Sequence, residues 1–257
     1  MPARFKRVPA LDKCFAVLSL LAKSDQPLGI SQIAKRLHLN KSTVFSTVHT
    51  LVDLRILENG PDGKFRLGSR LYTLGNAAGK RSQLIQTVHP FLESINQKTK
   101  LSAFLGIRSN SHAVILDKVD VAYDIKISSE IGMRLPLLAG AGGKALLSQL
   151  PDDEIDRILE KNELIRFTPN SIVNKKAYQK AVRQTRKDHI AIDYEEYIEG
   201  IVAFAMPLFT HRKDLQAAVW AVGLKHQVPR QSIPRTSRFL IKTADEINAR
   251  FKTLSLS

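Results

Sequence analysis

Cysteine, tryptophan and methionine are scarce in this chain: its 257 residues include one, one and three of them. A lone Cys14 cannot close an internal disulfide, which excludes a stapled secreted scaffold and fits a reducing compartment. Its plainest role is a small buried apolar residue in the first helix, not a nucleophile. No run approaches the ~18 consecutive apolar residues of a membrane span, and the opening MPARFKRVPALDKCF lacks a signal-peptide core, so a cytoplasmic protein without a membrane partner is expected. The seven histidines never fall into a ligand spacing such as HxxxH, so no metal site is expected. Internal repeats and low-complexity tracts are absent as well.

Acid is the scarcer charge. Lys and Arg number 39 against 24 Asp and Glu, a formal net charge of +15, and the isoelectric point is near 10.0. A chain this basic associates with polyanions, which makes nucleic acid and anionic membrane the candidate partners. Residues 1–80 hold 13 Lys and Arg against 5 Asp and Glu, so the charge is densest in the N-terminal third. A basic amphipathic helix with large exposed apolar residues is missing, which ranks the membrane last. The composition, 44% apolar and 25% charged, is that of ordinary globular protein, and the length suits two domains of roughly 100–200 residues.

Within ALDKCFAVLSLLAKS, Leu11, Phe15, Leu18 and Leu21 recur at helical spacing and predict an amphipathic helix starting after Pro9, with those four on its core face. PLGISQIAKRLHL predicts a short helix through about Leu37, N-capped by Ser31, with Ile33, Ala34 and Leu37 inward. A turn over His38–Asn40 leads into a third helix in LHLNKSTVFSTVHTL, and ILENGPDGKFRLGSRLY reads as a β-hairpin around Asn59–Gly63. Helix, helix, turn, helix and two-stranded wing is the order of a winged helix-turn-helix, assigned to residues 1–74. GNAAG at Gly75–Gly79 marks the expected boundary, with a linker helix over 75–98 that contains Pro90. From residue 99 to 257 the runs SAFLGIR, HAVILDKV and YDIKIS predict antiparallel strands. Helices follow in AGGKALLSQL, DDEIDRILEKN and NKKAYQKAVRQTRKD, then strands in GIVAFAMPLF and LQAAVWAVGLK, and a closing helix in RTSRFLIKTADEINARF. Strands and helices in separate runs argue for an α+β domain over a doubly wound sheet.

The third helix is rich in β-branched residues and nearly neutral, poor credentials for a free-standing helix. At ~100° per residue, however, Val44, Val48 and Leu51 point one way and Ser42, Phe45, Ser46 and His49 nearly the other. The second face, with Lys41 and Thr43 at its N-terminal end, presents groups that pair with base edges, pack on thymine methyls or meet a phosphate at the helix N-terminus. Around it Ser31, Lys35, Arg36, Arg55, Lys64 and Arg66 are placed for backbone phosphates. A helical subdomain with a merely polar outer face is the alternative; the charge and the wing together favour double-stranded DNA.

These passages resemble the IclR family of bacterial transcriptional regulators along nearly the whole chain. The resemblance rests on ALDKCFAVLSLLA with SQIAKRLHLNKSTVFSTVHTLVDLRIL and the GKFRLGSRLYTLG wing, on IGMRLPLLAGAGGKALLSQL, on TRKDHIAIDYEEYIEGIVAFAMPLF, and on AAVWAVGL. It implies a winged helix-turn-helix joined by a helix to a GAF-like effector-binding domain, in homodimers or homotetramers on an operator. Where this chain has Ser46 the family usually has arginine. The resemblance also implies an effector site built from Leu135, the Gly-rich turn Gly140, Ala141 and Gly142, and an acid at Asp193. The family's small polar pocket positions match Ala203, Trp220 and Val222 here, which points to an aromatic or otherwise largely apolar carboxylate over a compact keto acid. A plain core aromatic is the other role open to Trp220.

Other chemistries fit less well. GAGGKA is not a nucleotide P-loop, because Leu138 stands where the first glycine belongs and Ala145 where Ser or Thr must follow the lysine. DYEE reads as a loop before a strand with Asp193 facing the pocket, not as a catalytic pair of carboxylates. No catalytic residue and no cofactor is expected. The competing function is a small-molecule-binding or enzymatic α+β domain whose basic head docks on acidic partners.

Overall fold

Ten apolar side chains from five short elements and the segment before the second helix are enough to organise the N-terminal unit, seen here in a computed structural model that describes residues 6–121, 129–210, 212 and 214–254. Helices α1 (Pro9–Leu21), α2 (Ile30–Leu37) and α3 (Lys41–Asp53) precede a hairpin of β1 (Leu57–Asn59) and β2 (Phe65–Leu67), and α4 (Ser69–Lys80) ends the unit. Val17 and Leu21 from α1, Ile33 and Ala34 from α2, and Val44, Val48 and Leu51 from α3 meet Leu57 and Phe65 of the hairpin. The hairpin is tied down on its far side too: Leu28 and Phe65 exchange backbone hydrogen bonds of 3.1 and 2.9 Å.

Two local expectations fail here. Ser31 does not cap α2; Gly29 does, its N–H donating to the Gln32 side chain at 2.9 Å, so Ser31 lies in the first turn. In α1 the inward face centres on Val17 and Leu21, leaving Leu11 58% and Phe15 68% exposed. Both faces of α1 carry apolar residues at helical spacing, so periodicity alone does not say which one meets α2 and α3. The Cys14 side chain is half-buried.

The segment over 75–98 is not one helix. GNAAG lies inside α4, and α5 (Gln83–Thr99) begins afresh after Ser82, whose hydroxyl accepts from the Ile85 N–H. Glycine costs only about 1 kcal/mol in a helix interior, less than neighbouring good formers can offset, so Gly75 and Gly79 do not stop α4 while a capping serine restarts the chain. The compact units divide after Arg81.

The second unit is a six-stranded antiparallel sheet in the order β5-β4-β3-β8-β7-β6. Its strands are β3 (Ser102–Ser109), β4 (His112–Val119), β5 (Arg134–Pro136), β6 (Ala191–Tyr194), β7 (Ile201–Leu208) and β8 (Ala217–Leu224). Helices α6 (Gly140–Leu147), α7 (Asp152–Lys161) and α8 (Lys175–Asp188) lie between β5 and β6 in sequence, and α9 (Ile233–Leu254) ends the fold. The short β5 and β6 were not anticipated, and Asp193 with Tyr194 ends β6 instead of lying in a loop; pairing with β7 supplies hydrogen bonds that four residues cannot advertise by themselves. The run YDIKIS lies outside the described residues.

Alternate residues of the central strands serve opposite faces. Ala217, Val219 and Ala221 of β8 join α5 and α9 in one core, whereas Ala218 and Trp220 join α6, α7 and α8 in another. Covering both faces explains why β7 and β8 are almost continuously apolar although their neighbours are antiparallel.

The N-terminal core shares no residue with either of the others. Ile33→Ala, at a side chain with no exposure, is expected to cost about 2–5 kcal/mol. In urea unfolding followed by residue-resolved hydrogen exchange, protection is expected to fall across α1–α3 and to hold in the strands of the second unit.

Candidate functional site

On the outer side of α3, Ser42 and Ser46 are exposed, Phe45 is 54% exposed, and Thr43 and His49 are half-buried. The Phe45 ring lies 4.2 Å from His49, and His49 lies 5.8 Å from Phe65 at the base of the wing. His49 therefore acts as a prop, joining an outward aromatic on the helix to a buried one in the hairpin. Thr50 returns its hydroxyl to the Ser46 carbonyl at 2.8 Å and leaves the Ser46 side chain outward. His38 makes the tight turn between α2 and α3 with φ 54, donating its N–H to the Ala34 carbonyl.

Cations surround this face in two states. Lys35, Arg36 and Lys41 are exposed and without an acidic partner among the described residues. The two wing cations are paired instead, Lys64 with Asp62 at 2.9 Å and Arg66 with Glu58 at 3.0 Å. Such exposed pairs are worth little and exchange readily for a phosphate. Arg55 sits at the start of the wing with φ 58. Arg70, which sequence reasoning passed over, donates to the Leu54 carbonyl at 2.8 Å and ties α4 to the end of α3.

In the second unit a cavity of about 130 Å³ opens between the sheet and the start of α6. Leu135, Gly140, Ala141, Gly142, Asp193, Ala203, Trp220 and Val222, drawn from five elements, all line it. Sequence reasoning missed Phe104 and Ile115, whose strand alternation carried the signal, and Met133, Tyr197 and Ile198, which arrive on loops and had none. The walls are mostly apolar, with hydrogen-bonding groups gathered at the α6 end.

Three features shape that end. Gly140 enters α6 at φ 65, and a Cβ there would lie 2.7 Å from the Asp193 Oδ2. A Cβ on Gly142 would fall 1.8 Å from Trp220 Nε1, and one on Gly106 would fall 2.0 Å from the far edge of the same ring, so two glycines make room for one indole. Unpaired first-turn N–H groups and the positive end of the helix dipole favour an anion beside Gly140 and Ala141.

Asp193 is buried and its Oδ1 accepts from the Glu196 N–H at 2.6 Å. Burial outweighs that hydrogen bond and pushes its carboxyl up to about 6. Beneath it the buried Lys144 donates to the Ile192 carbonyl at 2.9 Å and to Glu196 Oε1 at 2.7 Å, and so does not neutralise Asp193 directly. The loop carrying Tyr197 is pinned from outside, where Thr168 donates to the Glu195 carbonyl at 2.6 Å and Ser171 to that of Glu196 at 2.7 Å. Behind α6, burial pushes the Tyr178 phenol up. Among the described residues no cluster of three or more His, Cys, Asp or Glu could hold a metal, and no helix is long and apolar enough to cross a membrane.

Comparison with known proteins accounts for both halves. Residues 10–61 match the IclR helix-turn-helix domain, and residues 76–249 match the bacterial transcriptional regulator IclR C-terminal domain. The chain is 29% identical to the HTH-type transcriptional regulator XynR of Escherichia coli, over 82% of its own length and 84% of the relative's. To the regulator KdgR of the same organism it is 30% identical, over 79% and 77%. An IclR homologue from Microbacterium hydrocarbonoxydans, solved in complex with 4-hydroxybenzoate, shares the fold with a TM-score of 0.78 at 23% identity, covering 95% of this chain and 99% of that one. The chain belongs to the IclR family: it is a DNA-binding transcriptional regulator with an N-terminal helix-turn-helix domain and a C-terminal effector-binding domain.

Proposed function

We propose that α3 reads an operator through Ser42, Thr43, Phe45, Ser46 and His49, while Ser31, Lys35, Arg36, Lys41, Arg55, Lys64 and Arg66 hold backbone phosphates. The observation that carries this is the division of α3, three fully packed aliphatics on one side and an outward Phe45 braced by His49 on the other. With Ser46 short and neutral, phosphate affinity falls to the flanking cations and the wing. The effector is a small carboxylic acid with an apolar, aromatic body, held in the cavity with its carboxylate at the start of α6. The gathering of all eight expected residues around one cavity supports that reading, and the neighbour solved with 4-hydroxybenzoate shows a fold of this kind holding such a molecule. The regulator works in the cytoplasm as a homodimer or homotetramer. Effector occupancy shifts the equilibrium between head arrangements that do and do not match the operator spacing, through residues 75–98.

On duplexes that the protein itself selects from its genome, Ser42→Ala and Phe45→Ala are expected to narrow the preference over random duplex by about 1–3 kcal/mol each. Lys41→Ala is expected to weaken both duplexes alike and to lower the salt slope by about 1. Fluorescence anisotropy across a salt series separates the two; equal losses on specific and random DNA for all three variants would remove α3 as the reading element.

The raised Asp193 carboxyl makes effector binding depend on pH. Facing it are the Glu196 and Tyr197 loop and, from α6, Lys144, which is paired to Glu196. An anion beside Asp193 is repelled once that group ionises, so binding takes up a proton. The dissociation constant for benzoate is expected to rise as pH climbs through about 6 and to be flat in Asp193→Asn. Without ligand the sign is the same: the raised carboxyl favours the folded protein below the unfolded value of 3.8, and that contribution is lost as pH rises through about 6. Calorimetric titrations and melts from pH 5 upward check both; affinity that rises with pH would refute the placement of the carboxylate.

A further inference from the structure

The one tryptophan of this chain is built into the cavity in a way that a core aromatic does not require. Trp220 is 6% exposed, and its ring occupies the space that side chains at Gly106 and Gly142 would take. Buried indole N–H groups ordinarily find an acceptor. The Trp220 Nε1–H has none among the described residues, yet the atom is not sealed from the cavity. It lies against Gly142 in the first turn of α6, where the helix N–H groups already favour an anion. An unsatisfied donor at that place is costly to keep unless a ligand completes it. The wall beyond consists of Phe104, Ile115, Leu135 and Val222, with no polar side chain among them.

We propose that Trp220 selects the effector, its Nε1–H donating to the carboxylate of an aromatic monocarboxylic acid whose ring lies along the Phe104, Ile115, Leu135 and Val222 wall. This rests on the reading of the cavity as the effector site and adds the residue that sets its specificity. Gly106 and Gly142 are then part of the recognition apparatus, since either side chain would push the indole out of place. Against this apolar wall a second carboxylate or a string of hydroxyls on the ligand would be left without partners, which disfavours dicarboxylic and sugar acids.

The single tryptophan gives a single indole N–H resonance in isotope-labelled full-length protein. Benzoate and toluene, the same ring with and without the carboxylate, are titrated while calorimetry reports binding in parallel. Benzoate is expected to bind and to move the indole proton downfield, the signature of donation to a carboxylate; toluene is expected to leave it near its starting position. Trp220→Phe, which keeps an aromatic ring and loses the N–H, is expected to weaken benzoate roughly tenfold or more while changing toluene far less. Benzoate that saturates with the indole proton unmoved, or a Trp220→Phe loss equal for both probes, overturns the role of Trp220 and leaves the pocket standing. Binding of glyoxylate or pyruvate with benzoate silent overturns the aromatic selection. Failure of all these acids to bind overturns the effector reading itself, and the selection with it.

Discussion

Hydrogen bonding between β3 and β8 is the constraint from which the rest of the second unit follows. Its register sets Phe104 opposite Trp220 and Ala103 opposite Ala221, so successive residues of both strands face opposite sides of the sheet. One side is sealed by α5 and α9, the other takes α6, α7 and α8 together with the cavity. A slip of one residue would turn Trp220 into the α5–α9 core and bring Val219 to the cavity. Gly106 follows from the same register: it stands two residues from Phe104 on the cavity face and leaves room for the indole, next to a bulge in the pairing of β3 with β4. Pocket and core are thus two faces of one set of strands.

The N-terminal unit solves a different problem with the same economy. Its third helix has weak intrinsic propensity, and packing of Val44, Val48 and Leu51 against the hairpin and the first two helices holds it in place. With that face committed, the other is free to carry hydroxyls, an imidazole and Phe45. The wing contributes twice, through Phe65 as core and, by way of His49, as a brace for the exposed aromatic. An outward polar face and the stability of the fold therefore share a helix and very few side chains.

Most of the element order was legible because long periodic runs leave few alternatives, and the two faces of α3 followed from residue spacing alone. The errors fall where local pattern was degenerate. Apolar residues on both sides of α1 hid its true core face, GNAAG looked like a boundary although it is helical, and β5 and β6 are too short to show a period. Lys64 and Arg66 were identified as cations of the wing, but their pairing with Asp62 and Glu58 depends on cross-strand neighbours that the linear order conceals. At the pocket, the eight residues implied by family likeness do converge, while Met133, Tyr197 and Ile198 come from loops with no pattern to read.

By itself the sequence determined the two-part plan, the division of the third helix into two faces and the basic balance that favours a polyanion, because periodicity and charge are properties of the linear chain. Only the tertiary structure decided that the Trp220 indole lies between two glycines with its N–H unanswered among the described residues, and that Asp193 sits deep enough for its carboxyl to rise to about 6. Both depend on which distant residues come into contact and on how much water they exclude. Neither quantity is written in residue order; strand register and helix docking create them.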